Sequence, residues 1–296
     1  MNTGWTLGPT AAAATPGSVP VPVDVVSVQS QVVYGHVGGN AAIPTLESWG
    51  LRVAAVPTVL LSNTPHYETM HGGPVPLAWL TGWLNDLEAR GALAQTRAVQ
   101  VGYLGEPEQA EALAAWWSRI HPRYPNIRLH LDPVIGDVDS GVYTHAGVAE
   151  AVRACLVPQA HGLTPNHFEL EQLVGEELST IADCRRAART LLQGPTQWVV
   201  VTSACRRDDQ PQMQVLLESR DGGDHLFSHT VIPCGAKGTG DLFAAALTGN
   251  LLAGVALPAA VKRACWTVVS ALQRTHDLGW EELALQPRLA AQEVKT

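Results

Sequence analysis

The sequence predicts a mostly parallel α/β sheet covered by helices on both faces. Three observations carry that expectation. Short β-branched runs alternate with longer helical runs from residue 21 onward, the pattern of strand–helix–strand units joined by right-handed crossovers. The run at 23–28 reads as a buried strand, and the run at 197–202 lacks polar alternation, as strands buried on both faces do. No repeat and no interdomain linker breaks the alternation.

Taken in order, 23–28 reads as a strand, 39–49 as a helix stopped at Gly50, and 51–60 as a strand. A helix over 76–93, a strand over 97–103, a helix over 106–120 and a strand over 127–132 follow. A helix over 146–156 leads to a short strand at 161–163, helices over 166–174 and 180–193, and the apolar strand at 197–202. Residues 213–218 and 225–232 flank Asp221-Gly222-Gly223, a hairpin signal that predicts an antiparallel pair. Helices over 240–252 and 258–274 close the chain. Residues 1–20 are rich in Ala, Thr, Gly and Pro without periodicity, the composition of a mobile tail, and 21–296 reads as a single domain.

Composition narrows the function. The 296 residues are 46% hydrophobic and 16% charged, with a formal net charge of −8, enough apolar content for one large core or two modest ones. That charge, with no Lys/Arg run, argues against a nucleic-acid surface or a polybasic membrane patch. No apolar stretch reaches transmembrane length and no basic residues introduce a signal peptide. Cys155, Cys184, Cys205, Cys234 and Cys265 are odd in number and widely spaced, which suits a reducing cytoplasm better than a disulfide framework or a zinc site.

The organising stretch is Lys237-Gly238-Thr239-Gly240-Asp241-Leu242-Phe243, followed by an apolar run to Leu252. Glycines around a threonine, then helix formers, predict a tight loop opening a helix, whose free N–H groups and positive pole hold phosphate oxygens. Asp241 then reads either as an ordinary first-turn acid or as a general base beside a phosphate cradle. Parallel sheets bind ligands beyond the carboxyl ends of their strands, so the other strand-end loops matter next. The loop from Ser27 through Ser30 to Gly38, Gly39 and Asn40 offers polar groups and then glycines before a helix. The loop 61–67 carries His66 beside Tyr67. Asp132-Pro133-Val134-Ile135-Gly136-Asp137, with Tyr143 beyond it, offers two carboxylates able to hold a hard cation such as magnesium, or simply to make turns. Thr164-Pro165-Asn166-His167-Phe168-Glu169 spaces Asn166 and Glu169 as a capping box; Glu169 could also face the same cation. Thr202 and Ser203 end the apolar strand with two hydroxyls.

These residues also carry a family resemblance. The run 28–35 (Val-Gln-Ser-Gln-Val-Val-Tyr-Gly), the run 57–67 (Pro-Thr-Val-Leu-Leu-Ser-Asn-Thr-Pro-His-Tyr), the run 132–137, Thr164-Pro165-Asn166 with Phe168-Glu169, and the run 237–243 together resemble the bacterial pyridoxal kinases of the ribokinase-like superfamily. The likeness spans about 23–275. It implies a ribokinase-like three-layer sandwich and transfer of the γ-phosphoryl of ATP to the 5′-hydroxyl of pyridoxal, pyridoxine or pyridoxamine. By similarity Asp241 is the base, and Gly238, Thr239 and Gly240 form the anion hole. Ser30 and His66 match vitamer-contacting positions, with Asp241 at the reacting alcohol. Asp132, Thr164, Thr202, Thr239 and His229, Thr230, Val231 and Ile232 match nucleotide positions; Tyr143 and Glu169 match metal positions, with Asp137 beside them. The resemblance further implies Mg2+, admits a monovalent cation such as K+, and implies a homodimer in the cytoplasm. Lys237 reads equally as a solvated loop cation or a phosphate contact. The chain departs from the family in its N-terminal tail, in His36 with Gly38-Gly39, and in Pro233-Cys234-Gly235-Ala236. Hydroxymethylpyrimidine kinases share the superfamily but usually carry Cys where Asp241 stands. Sugar and nucleoside kinases share the glycine signature but not the long runs at 28–35 and 57–67, and a catalytically silent vitamer-binding homologue is the remaining alternative.

Overall fold

A computed structural model describes residues 19–204 and 212–285. Residues 1–18 of the expected tail, Cys205 and the last eleven residues of the expected domain lie outside the described residues.

The elements run β1 (Val25–Val32), α1 (Gly39–Ser48), β2 (Val53–Leu61), β3 (Gly72–Pro74), α2 (Leu77–Ala89), β4 (Ala98–Val101) and α3 (Pro107–Ile120). After them come β5 (Arg128–Leu131), a small hairpin of β6 (Gly136–Asp137) and β7 (Gly141–Val142), α4 (Val148–Ala151), β8 (Gly162–Leu163), α5 (His167–Val174) and α6 (Ile181–Thr190). The described chain finishes with β9 (Trp198–Val201), β10 (Gln212–Ser219), β11 (Asp224–Thr230), α7 (Thr239–Leu252) and α8 (Leu257–Leu278). Nine strands form one sheet in the order β11-β10-β9-β8-β5-β4-β1-β2-β3. The block from β9 to β2 is parallel, and β10, β11 and β3 add antiparallel edges. The mostly parallel sheet and the 213–232 hairpin are therefore as the sequence predicts.

Alternation within each buried strand makes the sandwich, because successive side chains leave a strand on opposite faces. Val26, Val28, Val99, Val101, Leu129, Val199 and Val201 join the core covered by α2, α3, α5 and α6, where Leu80, Leu113, Trp117, Leu170 and Ala187 are buried. Val25 and Ala98 face α1, and Val200, Val215 and Leu217 face α7 and α8. Every residue of α7 from Leu242 to Asn250 is buried, as befits a helix apolar on all sides; it lies between α1 and α8 against the sheet. Strands β1, β4, β5, β8 and β9 therefore all aim their carboxyl ends at one edge.

Three departures from the expected elements have local causes. The Gly-Gly-Pro strand β3 has no intrinsic strand preference and forms because β2 supplies its partner, with Val59 opposite Pro74. The helix expected over 146–156 widens at Val152–Leu156 into a π turn, two residues before Pro158 ends it. The last helix runs to Leu278, past the expected 274, and ends at Gly279 with φ +63°, the usual left-handed cap.

Two contacts fix the β8–β11 side. Glu218 on β10, 2% exposed, accepts from Arg185 Nη1 and Arg189 Nε of α6, each at 2.7 Å, which ties the hairpin root to that helix. Trp198 on β9 lies over Gly162 of β8, where a Cβ would come within 2.0 Å of the indole, and its other neighbour is the His130 ring at 5.3 Å. Gly162→Ala should therefore force the indole out of place and cost about 1–3 kcal/mol as overpacking, lowering Tm by roughly 2–10 °C. Calorimetry checks this; an unchanged Tm would show that Trp198 has room to swing away.

Candidate active site

The site is built from backbone first. Gly238 caps α7 with φ +91°, and a Cβ there would sit 2.0 Å from the His36 carbonyl oxygen. The loop after β1 thus packs directly on the start of α7. Gly38 completes the fit. It has φ +54°, and a Cβ would meet Ser30 O and Oγ at 2.4 Å. Its N–H donates to Asp241 Oδ2 at 2.7 Å. Gly38, which the sequence marks as part of a polar, glycine-ended loop and as a departure from the family, is what orients the acid. Gly238, Thr239, Gly240 and Asp241 form the cap and first turn of the helix, where the leading N–H groups lack intrahelical partners.

Opposite this turn stands Asp132, one residue past β5 and 7% exposed. Its Oδ2 lies 3.5 Å from where a Cβ on Gly240 would be, and its Oδ1 accepts from Thr164 Oγ1 at 3.0 Å. Thr202, one residue past β9, donates its N–H to Pro165 O at 3.0 Å. Ser30 lies where the β1–β2 register slips between Gln29 and Gln31. Four strand ends, those of β1, β5, β8 and β9, therefore converge on the mouth of α7, the crevice in which such sheets hold ligands.

Glu169 realises the capping box: Oε2 accepts from Asn166 N–H at 2.8 Å, and Asn166 Oδ1 accepts from Glu169 N–H at 2.8 Å. Its Oε1 also accepts from Ile135 N–H at 2.9 Å, while Asn166 Nδ2 donates to Gly136 O at 2.7 Å. Glu169 thus fixes the β5–β6 loop. Asp137 on that loop accepts from Ser140 N–H at 2.6 Å and lies 3.7 Å from Lys237 Nζ, so Lys237 is an ion-pair partner. The phenol of Tyr143 lies among Glu169, Asp132, Asp241 and Asp137, and burial with those charges holds its proton on. Among the described residues, no three His, Cys, Asp or Glu side chains converge closely enough to hold a metal ion by themselves.

His66 stands apart from this group. It is exposed, bonds Thr64 Oγ1 through Nδ1 at 2.6 Å and lies against Tyr67 with ring centroids 4.2 Å apart and the planes tilted by 34°. His229 and Thr230 end β11 and Val231 and Ile232 follow it, His229 Nδ1 lying 3.0 Å from the Thr230 carbonyl. This segment is linked to Asp241 through the seven residues that separate Ile232 from Gly240.

Electrostatics raise the pKa of all three carboxylates of the site. Enclosure of its carboxylate by protein pushes its pKa up to about 6, against the opposing N–H of Gly38. Asp132 is raised by burial and by the charge of Asp241, with Thr164 opposing, and Glu169 is raised by burial and by Asp132. Three enclosed carboxylates thus resist simultaneous ionisation.

Sheet, helix N-terminus and strand-end carboxylates together define the ribokinase-like class. A family model described as phosphomethylpyrimidine kinase matches residues 35–285, and a pyridoxine/pyridoxal/pyridoxamine kinase of Bordetella bronchiseptica is 54% identical over 90% of this chain and 94% of its own. The chain belongs to the pyridoxine/pyridoxal/pyridoxamine kinase family. Among solved structures, pyridoxal kinase from Leishmania donovani in complex with ADP and pyridoxamine has a TM-score of 0.80 at 29% identity, covering 86% of this chain and 88% of that one. Pyridoxal kinase from Entamoeba histolytica has a TM-score of 0.83 at 23% identity, covering 89% and 92%, a likeness of fold.

The raised carboxylate gives a prediction about stability. A folded pKa of about 6 against an ordinary 3.8 means that the native state holds a proton the unfolded chain has lost, so this group's contribution falls as pH rises from about 4 through 6. At pH 7 the enclosed charge then costs about 3 kcal/mol. Asp241→Asn should raise Tm by several degrees at pH 7 and leave it unchanged near pH 4. Thermal scans at both values check this, and a lower Tm at pH 7 would contradict it.

Proposed function

We propose that this chain transfers the γ-phosphoryl of ATP to the 5′-hydroxyl of pyridoxal, pyridoxine and pyridoxamine, giving pyridoxal 5′-phosphate and its vitamer phosphates. The observation that carries the reading is the enclosed Asp241 carboxylate, poised near neutrality in the first turn of α7 and aimed by the Gly38 N–H. A base should titrate near its working pH, and the free N–H groups of the same turn suit the oxygens of the transferring group. Family membership and the ADP and pyridoxamine bound by the Leishmania donovani relative support this substrate pair.

In this reading Asp241 takes the hydroxyl proton as the oxygen attacks phosphorus, while Gly238, Thr239 and Gly240 hold the equatorial oxygens. Ser30, at the β1 end beside Gly38, and His66 receive the vitamer. Asp132, Thr164, Thr202, Thr239 and the segment 229–232 receive the nucleotide. The enclosed carboxylates suit a hard cation, since burial and then the charge of Asp241 push Asp132 toward its neutral form, and a cation would favour the ionised one. With no three-residue cluster among the described residues, Mg2+ would be held by one or two of Asp137, Tyr143 and Glu169, directly or through water, and by phosphate oxygens. Bound there, it would neutralise charge on the transferring phosphates.

The reading also takes residues 21–296 as one kinase domain behind an N-terminal tail, working as a cytoplasmic homodimer without nucleic-acid or membrane partners, with K+ admitted as a second cation. No helix of the described residues is long and apolar enough to cross a membrane. A second substrate class is a methylpyrimidine: the matching family model is described as phosphomethylpyrimidine kinase, and hydroxymethylpyrimidine is the alcohol that a kinase of this kind would phosphorylate. The acid at position 241 weighs against it.

A coupled assay of ADP release with each vitamer and with hydroxymethylpyrimidine separates the two. Turnover is expected with the vitamers, with kcat/KM rising through about pH 6 as Asp241 ionises. Asp241→Asn should still bind ATP and pyridoxal and lose roughly 10² to 10⁴ in kcat. Near-wild-type turnover in that variant would defeat the assignment.

A further inference from the structure

One buried carboxylate outside the phosphoryl-transfer group joins two loops from a third part of the chain. Glu282, in the turn after α8, is 8% exposed. Its Oε1 accepts from Tyr67 Oη at 2.7 Å and its Oε2 from the His36 N–H at 3.1 Å. The residues it joins are 215 and 246 positions away. Space for the carboxylate is made by Gly35, which has φ +108° and where a Cβ would fall 2.5 Å from Glu282 Oε2. The turn itself is immobilised: Leu283 and Ala284 are buried, Ala284 N–H donates to Thr275 Oγ1 at 2.8 Å, and Arg274 Nη1 donates to Ala284 O at 3.2 Å.

What Glu282 holds is chemically specific. Tyr67 carries the His66 ring against it at 4.2 Å, tilted by 34°, and Tyr34, from the other loop, stands edge-on to Tyr67 at 6.0 Å. Two residues along from His36, Gly38 donates to Asp241, and the His36 carbonyl itself packs on Gly238. A single carboxylate therefore sets the spacing between an aromatic wall and the loop that orients the base. Carboxylate hydrogen bonds of this kind are the strong ones.

We propose that Glu282 is a positioning residue for the alcohol substrate, clamping loops 33–38 and 64–67 at the distance that admits a flat pyridine ring between the aromatic wall and Asp241. The inference rests on the reading that these loops receive the vitamer. Nucleotide-side residues Asp132, Thr164 and Thr202 sit on other strand ends and make no bond to Glu282, so the clamp acts on one substrate of the two. The phenol of Tyr67 is held protonated above its ordinary range by the same carboxylate, which keeps the donor in place.

The test is steady-state kinetics of the full chain and of Glu282→Ala, Tyr67→Phe and the double variant, varying pyridoxal at saturating ATP and then ATP at saturating pyridoxal. Tyr67→Phe loses one charge-assisted bond and Glu282→Ala loses both, so each single variant should raise KM for pyridoxal by about tenfold or more, with KM for ATP within about twofold. The double variant should be no worse than Glu282→Ala, because that variant already removes the bond that Tyr67→Phe deletes. Glu282→Gln, which can still accept from Tyr67 but turns an N–H toward His36, should fall between wild type and Glu282→Ala. Unchanged KM for pyridoxal, an equal rise in KM for ATP, or multiplicative losses in the double variant would overturn the clamp. Should Glu282→Ala fail to fold, Tyr67→Phe, which deletes one oxygen, decides alone. A wild-type chain that phosphorylates no vitamer would overturn the functional reading beneath it, whereas an active wild type with unmoved KM overturns the clamp only.

Discussion

The hydrogen bond from the Gly38 N–H to Asp241 is the constraint around which this molecule is arranged. A carboxylate enclosed at a helix start is disfavoured as an anion by lost hydration and favoured by the helix pole and by any N–H aimed at it. The balance leaves Asp241 near pH 6 rather than at an ordinary acid's value. Maintaining that balance requires the β1–α1 loop to lie against α7 at backbone distance, which only glycine at 38 and 238 allows. The acid's character thus belongs to two chain segments two hundred residues apart.

Everything beneath the site serves to hold those segments in register. The parallel block delivers Ser30, Asp132, Thr164 and Thr202 to one edge because each sits at or just past the end of a buried strand. Helix α7, buried from Leu242 to Asn250, has no freedom to slide against the sheet. Glu169 is at once a capping residue and the support of the β5–β6 loop, so helix initiation and site assembly are one event there.

Most of this was legible in the amino-acid sequence, for identifiable reasons. Alternating apolar runs report sheet and helices because burial on two faces leaves no room for polar residues. The Gly238–Asp241 stretch and the Asn166/Glu169 box announce themselves because caps and anion sites demand particular residue types. Gly38 was visible as a glycine but not as a partner of Asp241, since a backbone N–H leaves no mark in a side-chain pattern. Glu282 carried no signal at all: its partners are His36 and Tyr67, and nothing local to position 282 says so. Strand β3 and the π turn at Val152–Leu156 were likewise hidden, one created by a pairing partner and the other by the approach of Pro158.

At the rims the sheet leaves its parallel rule: β3 and β10 run against the inner block, while β11, antiparallel to β10, runs with it. Strand β3 reaches the sheet by a return loop after β2 instead of a helical crossover, and β10 and β11 join it as a hairpin. Lengthening or trimming either rim asks nothing of the wiring that threads the parallel block, so the rims are where such an architecture can change its outline, or dock a neighbour, while the inner strands stay as they are.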